Sequence, residues 1–240
     1  MRRVSILLPC REAAAHLPAA IASLRGQTFE DFEVLAVDDG STDETFGILY
    51  TWAQRDGRVR VLQGHGRGLV AALATALSGA RGDLVARMDA DDLAEATRLE
   101  KQVALMDADP RVAACGTGVE YFPPDEVRDG ARRYEAWINS LVTDDDIARD
   151  IFVECPIPHP TLMVRRSALL GVGGYATKPR DLASEVDVGT DTETYSLTAT
   201  FRTELSDDVA ITNIANYRDF KSSLFQDLDL SAVINSLQTN

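Results

Sequence analysis

The stretch VSILLPCREAAAHLPAAIASLRGQTFEDFEVLAVDDGS, residues 4–41, decides the fold. Val4 to Pro9 is an apolar run of strand length, and Phe32 to Val37 is a second one. Between them Leu17, Ile21 and Leu24 recur at intervals of three and four, the spacing of one helical face. Two apolar runs joined by an amphipathic helix form a β-α-β unit, whose strands lie parallel because the crossover returns the chain to the same edge.

The alternation continues outward from this unit. A helical segment beginning near Glu44 sets Phe46, Leu49 and Trp52 on one side, and Val59 to Leu62 reads as the next strand. Glycines 64, 66 and 68 break the chain before a helix over Leu69 to Ala80, and a strand from Leu84 to Met88 follows. The fold class is therefore α/β, a Rossmann-like, mostly parallel sheet flanked by helices. Such sheets bind ligands at the carboxyl ends of their strands. Both acidic clusters of this region, Asp38-Asp39 and Asp89-Ala90-Asp91-Asp92, fall at strand ends. Carboxylates crowded together repel, so a cluster there calls for water or a cation. Mg²⁺ or Mn²⁺ suits it, being a hard cation that takes one or two carboxylates and fills its shell with water and phosphate. The competing reading is local: Asp91-Asp92 caps the next helix, and Asp38 to Ser41 is a turn ending in a Ser41 or Thr42 cap.

Charge narrows the partners. With 38 acidic against 24 basic residues the chain carries −14, which argues against sequence-independent binding to nucleic acid. No apolar run reaches the length of a membrane span, and the run after Met1 ends too soon for a signal peptide. The expectation is a cytoplasmic chain, or one peripheral at the inner membrane face. Cys10, Cys115 and Cys155 are few, odd in number and far apart, which fits reduced thiols rather than disulfides or a zinc site.

Five segments in order, residues 4–45, GHGRGLVAALATAL (64–77), ARGDLVARMDADDL (80–93), RLEKQVALMDADPRVAACGTGVE (98–120) and PHPTLMVRRSALLGVGGY (158–175), together resemble a bacterial family 2 glycosyltransferase. The resemblance covers roughly residues 3 to 175. It implies a GT-A fold, a nucleotide-diphosphate sugar donor with a UDP-sugar favoured, and Mn²⁺ or Mg²⁺ at the Asp-x-Asp motif. It further implies inversion at the anomeric carbon and a glycan or lipid-linked saccharide as acceptor. By resemblance Pro9 and Glu12 line the nucleotide pocket, although Arg11 stands where the family commonly has Asn. Asp39 matches the aspartate that reads the base. Asp91 is the direct metal ligand, and Asp89 faces the ribose and a metal-bound water. Arg67, between glycines, is expected to reach the diphosphate or the base, since a guanidinium suits phosphate oxygens. Relatives often carry an Arg-Asn pair in the next helix, where this chain has Ala72-Leu73, so Arg67 and the metal bear more of the phosphate charge. His159 and the Arg165-Arg166-Ser167 run read as structural.

The resemblance stops after Tyr175. Composition changes there: Thr, Ser and Asp take over, and four of the five asparagines follow residue 212. Two units are expected, a donor-binding domain over 1–177 and an unrelated-looking α+β segment over 178–240. Relatives carry their general base shortly after the Gly-Gly-Tyr, and Glu185 is the candidate substitute here. Two functions follow: metal-dependent sugar transfer to an acceptor hydroxyl, or a nucleotide-sugar-binding module whose catalysis is impaired by the altered acceptor half. A nucleotidyltransferase is disfavoured for want of a glycine- and arginine-rich first loop. A nicotinamide-binding protein is disfavoured because no Gly-x-Gly-x-x-Gly follows the first strand.

Overall fold

The structure, a computed structural model, describes residues 2–150 and 153–175. The expected 178–240 segment, with Glu185, lies outside the described residues. The chain begins β1 (Val4–Cys10), α1 (Leu17–Arg25), β2 (Phe32–Asp38), α2 (Thr45–Arg55), β3 (Val59–Gln63), α3 (Leu69–Gly79) and β4 (Leu84–Arg87). It continues with α4 (Arg98–Ala108), β5 (Ala114–Cys115), α5 (Asp129–Ile138), α6 (Asp144–Asp150), a 3₁₀ turn at His159–Thr161, β6 (Met163–Arg165) and α7 (Arg166–Gly171).

Six strands form one sheet in the order β3-β2-β1-β4-β6-β5. The first four are parallel, and β6 runs antiparallel to both β4 and β5. The mostly parallel sheet expected from the β-α alternation is the sheet observed. Every residue of β1, β2 and β4 is buried, as strands covered on both faces must be, which is why their sequences read as continuous apolar runs. One layer packs Leu17, Ile21 and Leu24 of α1 with Leu49 and Trp52 of α2 against Ile6, Leu8, Val34 and Ala36. The other packs Leu73, Ala76 and Leu77 of α3 against Leu7, Leu35, Val37 and Val85. Phe46 departs from its expected place: it is 41% exposed and stacks on Tyr50 instead, while Thr45 completes the buried face of α2.

The amino-terminal edge of the sheet is closed by a buried polar knot. The Ser5 hydroxyl donates to Glu33 Oε1 at 2.8 Å and accepts the amides of Arg81 and Gly82. Gly82 is needed there, because a Cβ would come within 2.7 Å of the Ser5 nitrogen. At the opposite edge β1 and β4 part. Their pairing ends at Leu7 with Arg87, whereas β1 stays paired with β2 through Cys10 and Asp38. Strand order reverses its direction of growth between β1 and β4, so a crevice opens beyond their carboxyl ends.

Candidate functional site

Three loops meet at that crevice, following β1, β2 and β4. Pro9 is buried in the last stretch of β1, where the strand has already separated from β4. Glu12 follows in the left-handed region with φ of 48°, which a non-glycine residue adopts only when other contacts hold it. Those contacts are present. The Glu12 amide donates to the Ser41 hydroxyl, and its carboxylate accepts the amide of Thr42 at 2.7 Å and the Thr42 hydroxyl. Asp43 and Thr45 take the amides of Ala14 and Ala13. The loops after β1 and β2 are thus stitched together, with Ser41 and Thr42 bridging rather than capping α2, whose N-cap is Glu44.

Asp39 organises the third side. Buried to 3% exposure, it accepts the Arg67 amide at 3.0 Å and the Gly68 amide at 2.7 Å. Its carboxylate thereby pins the glycine-broken loop before α3, and the Asp38 carbonyl adds a bond from the Gly64 amide. Gly64 cannot be larger, since a Cβ would meet Asp39 Oδ1 at 2.5 Å. The pinned loop leaves the Arg67 side chain exposed at the crevice rim. Both oxygens of Asp39 are engaged with backbone, so any role toward a base is added to this structural one.

After β4 stands the carboxylate cluster. Asp89 is ion-paired to Arg87, with Nε to Oδ1 at 3.2 Å, and the Arg87 side chain is only 5% exposed. Asp91 is exposed. Asp92 does not cap α4, which begins six residues later at Arg98 with Thr97 as N-cap. Instead burial, and then the negative charges of Asp89 and Asp91, push its carboxyl up to about 6. Buried Arg98 lies behind it, donating to the Arg87 carbonyl at 2.7 Å and to Gln102. Burial lowers this guanidinium to about 10, against the pull of Asp92. Arg87 and Arg98 are site residues that the motifs do not include, and Asp92, expected as a cap, joins them. The i, i+2 spacing of Arg87 and Asp89 at a strand exit was the available signal, because it puts both on one face.

Between the clusters lies Cys10. Burial pushes its thiol up to about 12, with Asp38 and then Asp89 adding to the shift, so both acidic clusters act on one point. Asp38 Oδ1 is buried with no hydrogen-bond partner among the described residues. Such an orphan, a buried carboxylate oxygen, suits a site completed by something positive. No three His, Cys, Asp or Glu side chains among the described residues are grouped to hold a metal by themselves. The donor set fits a hard cation of the Mg²⁺ or Mn²⁺ kind, which binds through one or two carboxylates and takes its remaining ligands from water and phosphate.

His159 opens the 3₁₀ turn and is half-buried; the turn is tied to α4 through Gln102 Nε2, which donates to the Thr161 carbonyl at 2.8 Å. Arg165 is the N-cap of α7, and Gly173 and Gly174 follow the end of that helix at φ of 97° and 74°. No described helix is long and apolar enough to cross a membrane.

The chain has known relatives in sequence and in fold. The model for the family described as glycosyl transferase family 2 matches residues 5–172. EpsE of Bacillus subtilis (strain 168) is 33% identical over 180 residues, which are 74% of this chain and 62% of EpsE. The UDP-Glc:alpha-D-GlcNAc-diphosphoundecaprenol beta-1,3-glucosyltransferase WfgD of Escherichia coli is 36% identical over 105 residues, 43% of this chain and 40% of WfgD. Among solved structures, the mannosyltransferase PcManGT from Pyrobaculum calidifontis, in complex with GDP-Man and Mn²⁺, superposes with a TM-score of 0.56. It is 25% identical and covers 85% of this chain and 53% of its own. The chain therefore spans less than two thirds of the length of these relatives. The strand order, the crevice between β1 and β4 and the matched residues make this a GT-A fold, and the chain belongs to glycosyl transferase family 2.

Proposed function

We propose that the chain transfers a sugar from a nucleotide-diphosphate donor, a UDP-sugar foremost, to an acceptor hydroxyl, with inversion and with help from a divalent cation. The observation that carries this reading is the convergence of the Asp38-Asp39 and Asp89-Asp91-Asp92 carboxylates on the crevice where β1 and β4 part. WfgD, a glucosyltransferase from UDP-Glc to a diphosphoundecaprenol-linked saccharide, and PcManGT, solved with GDP-Man and Mn²⁺, add support.

In this reading the nucleoside lies against Pro9, Glu12 and Asp39, on loops already fixed by the Glu12–Thr42 and Asp39–Gly68 hydrogen bonds. Arg67 faces the diphosphate from the rim. Asp89, steered by Arg87, is oriented toward the ribose, and Asp91 presents its carboxylate to the cation. A cation bound there supplies Lewis-acid stabilisation of charge on the diphosphate. The acceptor oxygen attacks the anomeric carbon from the face opposite the diphosphate, so a C–O bond forms as the bond to the leaving phosphate oxygen breaks. Its electron pair departs with the diphosphate, and inversion follows from the in-line path. The acceptor proton passes to a base, for which Glu185 is the candidate.

Calorimetric titration of the full chain with UDP and GDP, with and without Mn²⁺, tests the donor site. UDP should bind more tightly with Mn²⁺, and Asp91→Ala should remove most of that gain, about ten-fold or more for a charge-paired phosphate contact. Equal Mn²⁺ dependence in parent and Asp91→Ala would overturn the metal assignment.

A further inference from the structure

Beside the carboxylates lies an aromatic face that the donor reading does not use. β6 is antiparallel to both β4 and β5, so β5 runs parallel to β4, and Met163 aligns Ala86 on one side with Cys115 on the other. The chain leaving Cys115 therefore emerges at the same edge of the sheet as Asp89, two strands across, about 10 Å at ordinary strand spacing. Its first residues press on the loop before β6: a Cβ on Gly116 would meet Ile157 at 2.6 Å, and the Thr117 amide donates to the Thr161 hydroxyl.

The segment is then fastened to α5. Asn139 accepts the Val119 amide and donates to the Val119 carbonyl, both at 2.8 Å, and Glu135 accepts the Tyr121 amide at 2.8 Å. This sets Tyr121 edge-on to Tyr134 with centroids 6.4 Å apart, and Tyr134 lies 5.5 Å from Trp137. The Trp137 indole is locked in turn by donating to Asp150 at 2.9 Å. Tyr121 and Phe122 are 42% and 53% exposed. Single exposed aromatics are ordinary, but three rings in sequence of contact, Tyr121, Tyr134 and Trp137, with exposed Phe122 next in the chain, make a prepared surface.

We propose that Tyr121, Phe122, Tyr134 and Trp137 form the acceptor subsite, and that they receive the apolar C–H face of a neutral pyranose. The proposal rests on the glycosyl-transfer reading of the adjoining crevice. Aromatic rings offer a rigid apolar surface with polar tips, which matches a sugar ring whose faces are C–H and whose rim is hydroxyl. Charge selects against an anionic occupant: after burial, the carboxylates of Glu154, Asp92 and Glu135 are what act on the Tyr121 hydroxyl. They accept hydrogen bonds from sugar hydroxyls and repel a phosphate. Nearness to Asp92 also places a sugar held here beside the donor crevice.

Saturation-transfer difference NMR on the full chain with UDP and Mn²⁺ tests this, with methyl β-D-glucopyranoside and methyl β-N-acetylglucosaminide as probes. Saturation should reach the ring C–H protons, fall about five-fold or more in Tyr121→Ala and survive in Tyr121→Phe, because the ring face rather than the hydroxyl does the stacking. UDP affinity should be the same in all three proteins. Undiminished transfer in Tyr121→Ala overturns the proposal. So does the absence of any sugar signal in a parent that binds UDP, which would mean that another segment or copy covers the face; the donor reading then stands alone. A parent that fails to bind UDP yet loses its sugar signal in Tyr121→Ala overturns the donor reading, and with it the acceptor role, and leaves a sugar-binding face.

Discussion

At the level of single residues, the carboxylates of this site depend on cations that no acidic motif contains. Asp89, Asp91 and Asp92 follow one another within four positions, and their mutual repulsion is offset by two guanidinium groups, Arg87 paired with Asp89 and Arg98 behind Asp92. Arg87 is the sharper case because its side chain is 5% exposed. Arg87→Ala leaves the half-buried Asp89 without its counter-charge and should destabilise the chain by about 1.5–3 kcal/mol, the range for a charged hydrogen bond. Urea unfolding of a double-mutant cycle with Asp89→Asn checks it: once Arg87 is gone, the second change should cost little. Strict additivity of the two changes would mean that the pair contributes nothing. In sequence only the i, i+2 spacing to Asp89 marked Arg87 out within an apolar strand; its burial depends on helix α4 and strand β6 beside it.

At the level of elements, helix starts in this chain are satisfied from a distance. Helix α4 has no side-chain cap of its own; the Leu99 amide instead donates to Gln27 Oε1 at 3.1 Å, across 72 residues of sequence. The same Gln27 donates to the Glu95 carbonyl at 2.7 Å, and the Ser23 hydroxyl accepts the Ala94 amide. The segment between the carboxylates and α4 is thereby tied to the end of α1. Asp92, at a strand exit ahead of a helical segment, had the local marks of a cap, yet the start of α4 is served by another element. Gln27→Ala should cost about 1–3 kcal/mol, the penalty for leaving buried amide and carbonyl groups unpaired. Chemical denaturation measures it, and a loss below about 0.5 kcal/mol, the range of ordinary surface changes, would show that water replaces these bonds. The glycine loop before α3 follows the same logic, held by Asp39 from the end of β2.

At the level of the whole molecule, two apolar layers bury the sheet and with it the thiols. Burial pushes Cys10 from an ordinary 9.0 to about 12 and Cys115 from 9.0 to about 11. Between those values the folded chain keeps protons that the unfolded chain releases, so the thiols' contribution to stability is intact below pH 9 and is lost as pH rises toward 11 and 12. Melting temperatures measured between pH 8 and 11 should fall, and fall less steeply in a Cys10→Ala, Cys115→Ala double variant; identical slopes would show that the thiols are not shielded. The sequence by itself determined the β-α order, the parallel core of the sheet and the placement of both acidic clusters at strand ends, because periodicity and apolar runs are local properties that burial on one or both faces imposes directly. It also carried the family motifs over residues 4–175. Only the tertiary structure decided that β6 reverses direction beside β4, that Arg87 and Arg98 neutralise the cluster, that Gln27 rather than Asp92 serves α4, and that Tyr121 stands at the edge of the crevice. The strand reversal, the Gln27 contact and the placement of Tyr121 join residues far apart in the chain, and the Arg87 and Arg98 pairings, though close in sequence, act through burial that other elements supply; packing geometry fixes all of them.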